Sequence, residues 1–123
     1  MSNVVDFTTQ VMQSQIATIS AGQTESSAVN IYGTTAVGVI VPAGFTGSSL
    51  SFLVTNDLID KVNPPVYVPL YDPSGTLLIV AVAATPCAAR LNPADFFPWS
   101  SLKVVSDTPQ VADQQLKIIT RVI

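Results

Sequence analysis

Hydrophobic and polar positions alternate along most of this 123-residue chain, a pattern that predicts β-strands. The clearest case is residues 49–55, where Leu50, Phe52 and Val54 share one face and serine or threonine occupies most of the other. Related patterns predict further strands over residues 36–41, 66–71, 76–83, 102–105 and 114–123, and weaker ones over 15–20 and 26–32. About eight short strands in one chain are typical of an antiparallel sandwich or jelly roll.

Two of these predicted strands have compositions that indicate their place in a sheet. Residues 66–71 include Pro69, which has no backbone N–H to donate, so we expect this strand at a sheet edge or at a bulge. Residues 76–83 are apolar on both faces, so we expect a central strand there.

Residues that favour turns separate the strands. Segment 71–75 carries Asp, Pro and Gly at the first, second and fourth positions of a type I turn, which predicts a hairpin. Segment 42–47 predicts a second reversal. Asn92 followed by Pro93 predicts an N-capped helical turn near residues 93–97. The sequence therefore predicts an all-β fold, a single antiparallel β-sandwich or jelly roll with one short helical turn.

Composition agrees with this fold and argues against several kinds of active site. Val, Ile and Thr total 38 residues, against one Glu and three Lys, which favours strands over helices. With no His and one Cys, the chain has no Ser-His-Asp or Cys-His arrangement, no imidazole metal ligand and no internal disulfide. We therefore expect a protein that is not an enzyme, with no catalytic residue, metal or cofactor.

The charges are few and spread along the sequence. The net charge is −3, and the five cations are Lys61, Arg90, Lys103, Lys117 and Arg121. Without a basic stripe, the chain is expected to bind neither nucleic acid nor an anionic membrane directly. No secretory signal is visible, and the longest apolar run, residues 77–84, is too short to span a bilayer. We expect synthesis in the cytoplasm.

Neutral polar residues replace the missing charges. Ser, Thr, Asn and Gln number 36, whereas charged residues number 13. Depletion of charged groups is typical of surfaces that pack against other subunits. Because salt screens charges, contacts made by neutral polar groups are expected to depend weakly on salt.

The first residues stand apart from the regular pattern. Residues 1–13 carry apolar side chains without a clear period, and the candidate interface residues among them are Val4, Val5, Phe7 and Val11. Two interpretations remain open: an edge strand of the chain's own sheet, or an arm that orders on a neighbouring subunit. Residues 14–123 then form the β-sandwich domain.

Three further features of the sequence are candidate functional sites. Phe96, Phe97 and Trp99 form the densest aromatic group and are candidate interface residues, although such a cluster also plugs the end of a sandwich. Asp57 and Asp60 are close in sequence, and we interpret them as part of a solvated loop. Cys87 is interpreted as a small buried hydrophobe.

Five segments carry a resemblance to a known family. They are SFLVT (51–55), YVPLYD (67–72) leading to Gly75, LNPADF (91–96), LKVVS (102–106) and ADQQLKIITR (112–121). Through these segments, residues 49–123 resemble the small β-sandwich virion proteins of tailed bacteriophages, such as head decoration (cement) proteins. The resemblance supplies no catalytic residues.

The resemblance implies a capsid decoration protein that binds the major capsid protein and stabilises the outer shell. A homo-oligomer, with a trimer favoured, and a location on the virion surface after synthesis in the host cytoplasm are implied with it. The alternative is a carbohydrate- or receptor-binding module of a phage tail or fibre. Its stacking platforms would be Phe96, Phe97, Trp99, Tyr67 and Tyr71.

Overall fold

The computed structural model describes residues 12–57 and 64–122. Within them the chain forms nine strands and one short helix. In order these are β1 (Met12–Ile19), β2 (Val29–Asn30), β3 (Thr34–Val41), β4 (Ser49–Thr55), β5 (Val68–Pro69), β6 (Val80–Ala81), β7 (Cys87–Arg90), α1 (Pro93–Phe96), β8 (Ser101–Ser106) and β9 (Gln114–Val122). No helix in this part of the chain is both long and apolar enough to cross a membrane.

The strands form two antiparallel sheets. The four-stranded sheet has the order β1-β9-β3-β7, and the five-stranded sheet has the order β2-β8-β4-β5, with β6 also paired to β4. Outside the β5–β6 hairpin, consecutive strands alternate between the sheets, as in a jelly roll. The predicted all-β sandwich is confirmed.

The core lies between the two sheets. It consists mainly of alternate side chains of the long strands, with contributions from loops and α1. Its largest fully buried members are Phe52, Phe96, Ile19, Ile31, Leu50, Leu102, Leu116 and Ile118. Each buried side chain of this size contributes about 1.5–3 kcal/mol relative to exposure. The alternation seen in the sequence therefore corresponds to one buried face on each sheet.

The helical turn forms where the sequence predicts it. The Asn92 side chain accepts a hydrogen bond from the Ala94 N–H, and Pro93 occupies the first turn, where its missing N–H costs nothing. The turn buries Phe96 completely, with its ring edge-to-face against Phe52 at a centroid distance of 5.1 Å. One aromatic side chain of this turn thus completes the core.

Several strand predictions agree closely with the structure. Residues 49–55 form β4 as predicted, and β3, β8 and β9 extend or end within two residues of their predicted bounds. Segment 71–75 turns back as expected, with the Gly75 N–H donating to the Asp72 carbonyl. β5, which contains Pro69, lies at the edge of its sheet.

The central strand predicted over residues 76–83 is wrong. Only Val80 and Ala81 form a strand, and Ile79 is 53% exposed. Both legs of the hairpin use the same edge of β4: β5 pairs with Leu53 and Val54, and β6 pairs with Ser49 and Leu50. Two legs that share one edge leave neither in a central position. The sequence analysis also missed β7, whose residues are Cys-Ala-Ala-Arg.

Candidate interaction surfaces

The three aromatic residues of segment 96–99 have different environments. Phe96 is buried in the core and is unavailable for binding, so its place among the candidate interface residues is corrected. Phe97 is 56% exposed. Trp99 is half-buried, and its indole N–H donates to the Asp95 carbonyl at 3.0 Å. The segment therefore places Phe96 in the core, holds the Trp99 indole by a hydrogen bond and leaves the Phe97 ring exposed.

A small cleft adjoins the exposed aromatic residues. Its volume is about 210 Å³, and its lining consists of Tyr32, Gly33, Asn56, Phe97, Pro98, Trp99 and Ser100. We name it the aromatic cleft. Tyr32 is 70% exposed, and its backbone N–H is held by the Asn30 carboxamide at 2.9 Å. None of the lining side chains carries a charge.

Sequence analysis missed Tyr32. The turn at Gly33, which has a φ of +80°, brings Tyr32 beside Phe97 although 65 positions separate them in the chain. The Tyr-Gly pair signals a turn, but only the fold shows which other loop lies next to it.

The β5–β6 hairpin carries a second group of exposed side chains. Val66, Val68, Tyr71 and Ile79 are each more than half exposed. Tyr67, by contrast, packs over the outer face of the five-stranded sheet: its hydroxyl is 2.8 Å from Ser101 Oγ, and Lys103 Nζ lies 4.6 Å from the ring centroid. Tyr67 is therefore already occupied within the subunit, whereas Tyr71 is open.

The outer face of the four-stranded sheet carries a third group. On β9, alternate residues from Gln114 to Thr120 are buried, so Lys117, Ile119 and Arg121 point outward. The strand register places Ile16 of β1 and Ile40 of β3 on either side of Lys117. These two isoleucines are 46% and 40% exposed.

Strand β7 adds a further cation to this face. Arg90 pairs with Gly38, and Gly38 pairs with Ile119, so Arg90 lies in the same row as Ile119. With strands about 4.8 Å apart, the Cα atoms of the three cations are roughly 12 Å from one another. We name this surface the cationic face, and its members are Ile16, Ile40, Arg90, Lys117, Ile119 and Arg121.

No acidic residue occurs on the four strands of this sheet. Within residues 12–57 and 64–122 the one ion pair is Lys103–Glu25, on the opposite sheet. A shallow depression of about 300 Å³ opens on the cationic face, lined by Gln13, Ser14, Ile40, Lys117 and Ile119. Cations that look scattered in the sequence are therefore grouped by the strand register.

Two of the described carboxylates accept hydrogen bonds from loop backbone. Asp57 accepts a hydrogen bond from the Val66 N–H at 2.9 Å, which ties the two ends of segment 58–65 together. Asp60 lies outside the described residues. Asp113 accepts from the Ala21 N–H at 2.8 Å. Asp57 and Asp113 therefore stabilise the conformation of these loops.

Two carboxylates have perturbed titration. A hydrogen bond from the Ser74 hydroxyl, followed by one from the Thr76 N–H, lowers the pKa of Asp72 below its ordinary value. The hydroxyl of Ser48 is the main cause that lowers the pKa of Asp107. In both cases the donors favour the charged carboxylate, so these groups remain ionised in the folded protein at neutral pH.

The remaining sequence candidates have separate outcomes. Val4, Val5, Phe7 and Val11 lie outside the described residues. Strand β1 begins at Met12, which pairs with Arg121 of β9. Residues 12 and 13 of the segment 1–13 therefore belong to the edge strand of the four-stranded sheet. Cys87 is a half-buried free cysteine whose side chain packs against the core.

Comparisons with known proteins identify no family. No protein-family model matches the chain, and no curated protein matches it. Among solved structures, the chain is similar to a protein of Bacillus endospore appendages, which form disulfide-linked pili, at 11% identity and a TM-score of 0.42 over 92% of this chain and 88% of that one.

Two other solved structures are similar at the same level. The Drosophila NLP core, studied for pentamer formation and histone binding, gives 14% identity and a TM-score of 0.40 over 89% of this chain and 96% of that one. A family two carbohydrate esterase from Cellvibrio japonicus gives 13% identity and a TM-score of 0.32 over 89% of this chain and 33% of that one. Neighbours at these identities and TM-scores assign no function.

Proposed function

We propose that this chain is a structural subunit of a phage virion, a decoration protein that binds the outer surface of the head. The observation that carries the proposal is the exposure of large hydrophobic side chains on three separate surfaces. These are the cationic face, the β5–β6 hairpin and the aromatic cleft. Groups of exposed apolar side chains are candidate interaction sites, because soluble monomers rarely expose large contiguous apolar patches.

Three separate contact surfaces fit a subunit that has several neighbours at once. A protein that binds one partner needs one apolar patch, whereas a subunit in a shell contacts the shell and its own copies. The scarcity of charge, 13 residues in 123, fits surfaces that are largely given to contacts. The resemblance of residues 49–123 to phage decoration proteins supports the same assignment, with a homotrimer as the oligomer.

The proposed mechanism is stabilisation by mass action. A protein that binds the assembled shell and not its dissociated subunits shifts the equilibrium toward the shell. No catalytic step is needed, and we propose none. The partner is the major capsid protein, and the location is the capsid surface.

The test is binding to shells. Heads assembled without this protein are mixed with the purified chain at micromolar concentration and sedimented. We expect saturable binding, with a copy number comparable to that of the major shell protein, and a raised melting temperature of the shell. Absence of binding, together with absence of the protein from heads purified from its source, contradicts the proposal.

A second candidate function is favoured by the aromatic cleft. Tyr32 and Phe97 are exposed and both line an uncharged cleft, and exposed aromatic rings can stack on a sugar. This corresponds to a carbohydrate- or receptor-binding module of a tail or fibre. A glycan-array signal that is lost in Phe97→Ala, and kept in Tyr71→Ala on the hairpin, would favour it over decoration.

A further inference from the structure

The acidic residues that the structure describes lie outside its strands, whereas three cations share the outer face of the four-stranded sheet. The cationic face carries Arg90, Lys117 and Arg121 and no acidic residue, although the whole chain has a net charge of −3. The six acidic residues that the structure describes are Glu25, Asp57, Asp72, Asp95, Asp107 and Asp113, all outside the named strands. A surface of one sign attracts and selects partners of the opposite sign, so the cationic face favours an anionic partner.

We infer that the cationic face is the attachment surface, and that it binds a protein surface that is acidic and partly apolar. This inference rests on the proposed function, because it names the surface by which the subunit binds the shell. The three cations select the sign of the partner's charge. The isoleucines supply apolar area at the centre: Ile16 and Ile40 flank Lys117, and Ile119 lies between Lys117 and Arg121.

A second copy of the chain fits this face poorly. A symmetric dimer would place the face against itself and bring Lys117 and Arg121 toward like charges, which is unfavourable. The described acidic residues of another copy lie outside the strands, and Glu25 is already paired with Lys103, so no strand face of a second copy offers a matching set of carboxylates. The favoured occupant is therefore a different protein.

Nucleic acid is also a poorer fit than protein. Three cations neutralise at most about three phosphates, which gives weak, salt-sensitive binding. The isoleucines, which a phosphate backbone does not use, occupy half of the face. Apolar groups between cations are instead typical of the centre of a protein interface.

The test compares neutralising variants on the two sheets. Lys117→Gln combined with Arg121→Gln removes two cations from the cationic face, and Lys103→Gln removes one from the opposite sheet. Binding to heads that lack the protein is measured at low salt and at about 0.3 M salt, where the Debye length falls to roughly 5–6 Å. We expect roughly tenfold weaker binding of the double variant at low salt, and a change within about twofold for Lys103→Gln.

A pair of apolar variants tests the isoleucines. Ile40→Thr on the cationic face is expected to weaken binding by about tenfold, whereas Val111→Thr, in an exposed loop outside the three surfaces, is expected to leave it within about twofold. If the wild type binds heads and both cationic-face variants bind equally well, the inference is overturned while the proposed function stands.

A cross-linking experiment identifies what contacts the cationic face even if heads are not the partner. A photo-reactive residue is placed at Ser14, on the cationic face, or at Val111, in an exposed loop, in the full chain produced with its natural neighbours. We expect Ser14 adducts on peptides rich in Asp and Glu. Adducts from Val111 alone, no Ser14 adduct, or duplex DNA binding that depends on Lys117 and Arg121 would overturn the inference.

Discussion

The neighbouring residues Phe96 and Phe97 allow a stringent test of how the helical turn supports the fold. Phe96 has no exposed surface, and its ring packs edge-to-face on Phe52 with an interplanar angle of 82°. Phe97, one position later, is 56% exposed. Truncating each to alanine removes the same atoms from two opposite environments.

The expected costs differ several-fold. Burial and the cavity left behind give about 3–5 kcal/mol for Phe96→Ala. Of this, roughly 0.5–1.5 kcal/mol belongs to the aromatic pair with Phe52, which a double-mutant cycle of Phe52→Leu and Phe96→Leu measures. Phe97→Ala should cost less than about 1 kcal/mol. The entropy of unfolding of a 123-residue domain is roughly 0.26 kcal/mol/K, so this cost should lower the melting temperature of Phe96→Ala by roughly 10–20 °C.

Urea unfolding provides the assay. The chain has a single tryptophan, Trp99, whose fluorescence reports on this end of the sandwich. The backbone N–H of Trp99 donates to the Phe96 carbonyl, so the Phe96 substitution can change the fluorescence directly. Far-UV circular dichroism is therefore recorded as an independent signal. Equal costs for the two variants, or a cost below about 1 kcal/mol for Phe96→Ala, would refute the assignment of Phe96 to the core.

Three further predictions address other parts of the molecule. The pKa of Asp107 is lowered on folding, so its stabilising effect is present at neutral pH and lost as the pH falls below 3.8; Asp107→Asn should make urea stability less sensitive to acid, and an unchanged slope contradicts this. Gly47 has a φ of +133°, and a Cβ there would collide with Asp107, so Gly47→Ala should cost about 1–3 kcal/mol in urea unfolding, more than Gly22→Ala, which has a positive φ but open space. Deleting residues 1–11, just before β1, should leave the circular dichroism of a folded β-protein while weakening self-association or shell binding; unchanged light scattering and shell binding would count against an arm.

The sequence predicts the fold well where one face of a strand is buried. In β4 the alternation of Leu50, Phe52 and Val54 with polar residues follows from the sheet's period of two, so its bounds are recovered. The prediction over residues 76–83 is wrong because an apolar run has no period. From such a run, a hairpin leg on a sheet edge cannot be distinguished from a central strand. β7 fails because its short Ala-rich segment has neither alternation nor β-branched residues.

The surfaces are less predictable than the fold because they depend on register. Lys117 and Arg121 share a face by simple alternation, but Arg90 joins them only through the pairing of β7 with β3. Tyr32 joins Phe97 through the packing of two distant loops. The expected weak salt dependence, drawn from composition, therefore applies to the hairpin and the aromatic cleft, whereas the cationic face predicts a salt-sensitive component.

The buried hydroxyl and amide side chains share a property that concerns more than stability. Ser101 Oγ donates to the Val29 carbonyl, Ser100 Oγ donates to the Asp57 carbonyl, and Gln110 Nε2 donates to the Thr46 carbonyl. Every buried side-chain nitrogen and oxygen in the described residues has a partner, and the buried polar residues are all Ser, Thr or Gln. None of these groups gains or loses a proton in the physiological range. These hydrogen bonds are therefore the same in mildly acidic and mildly alkaline surroundings, because none of their side chains changes charge.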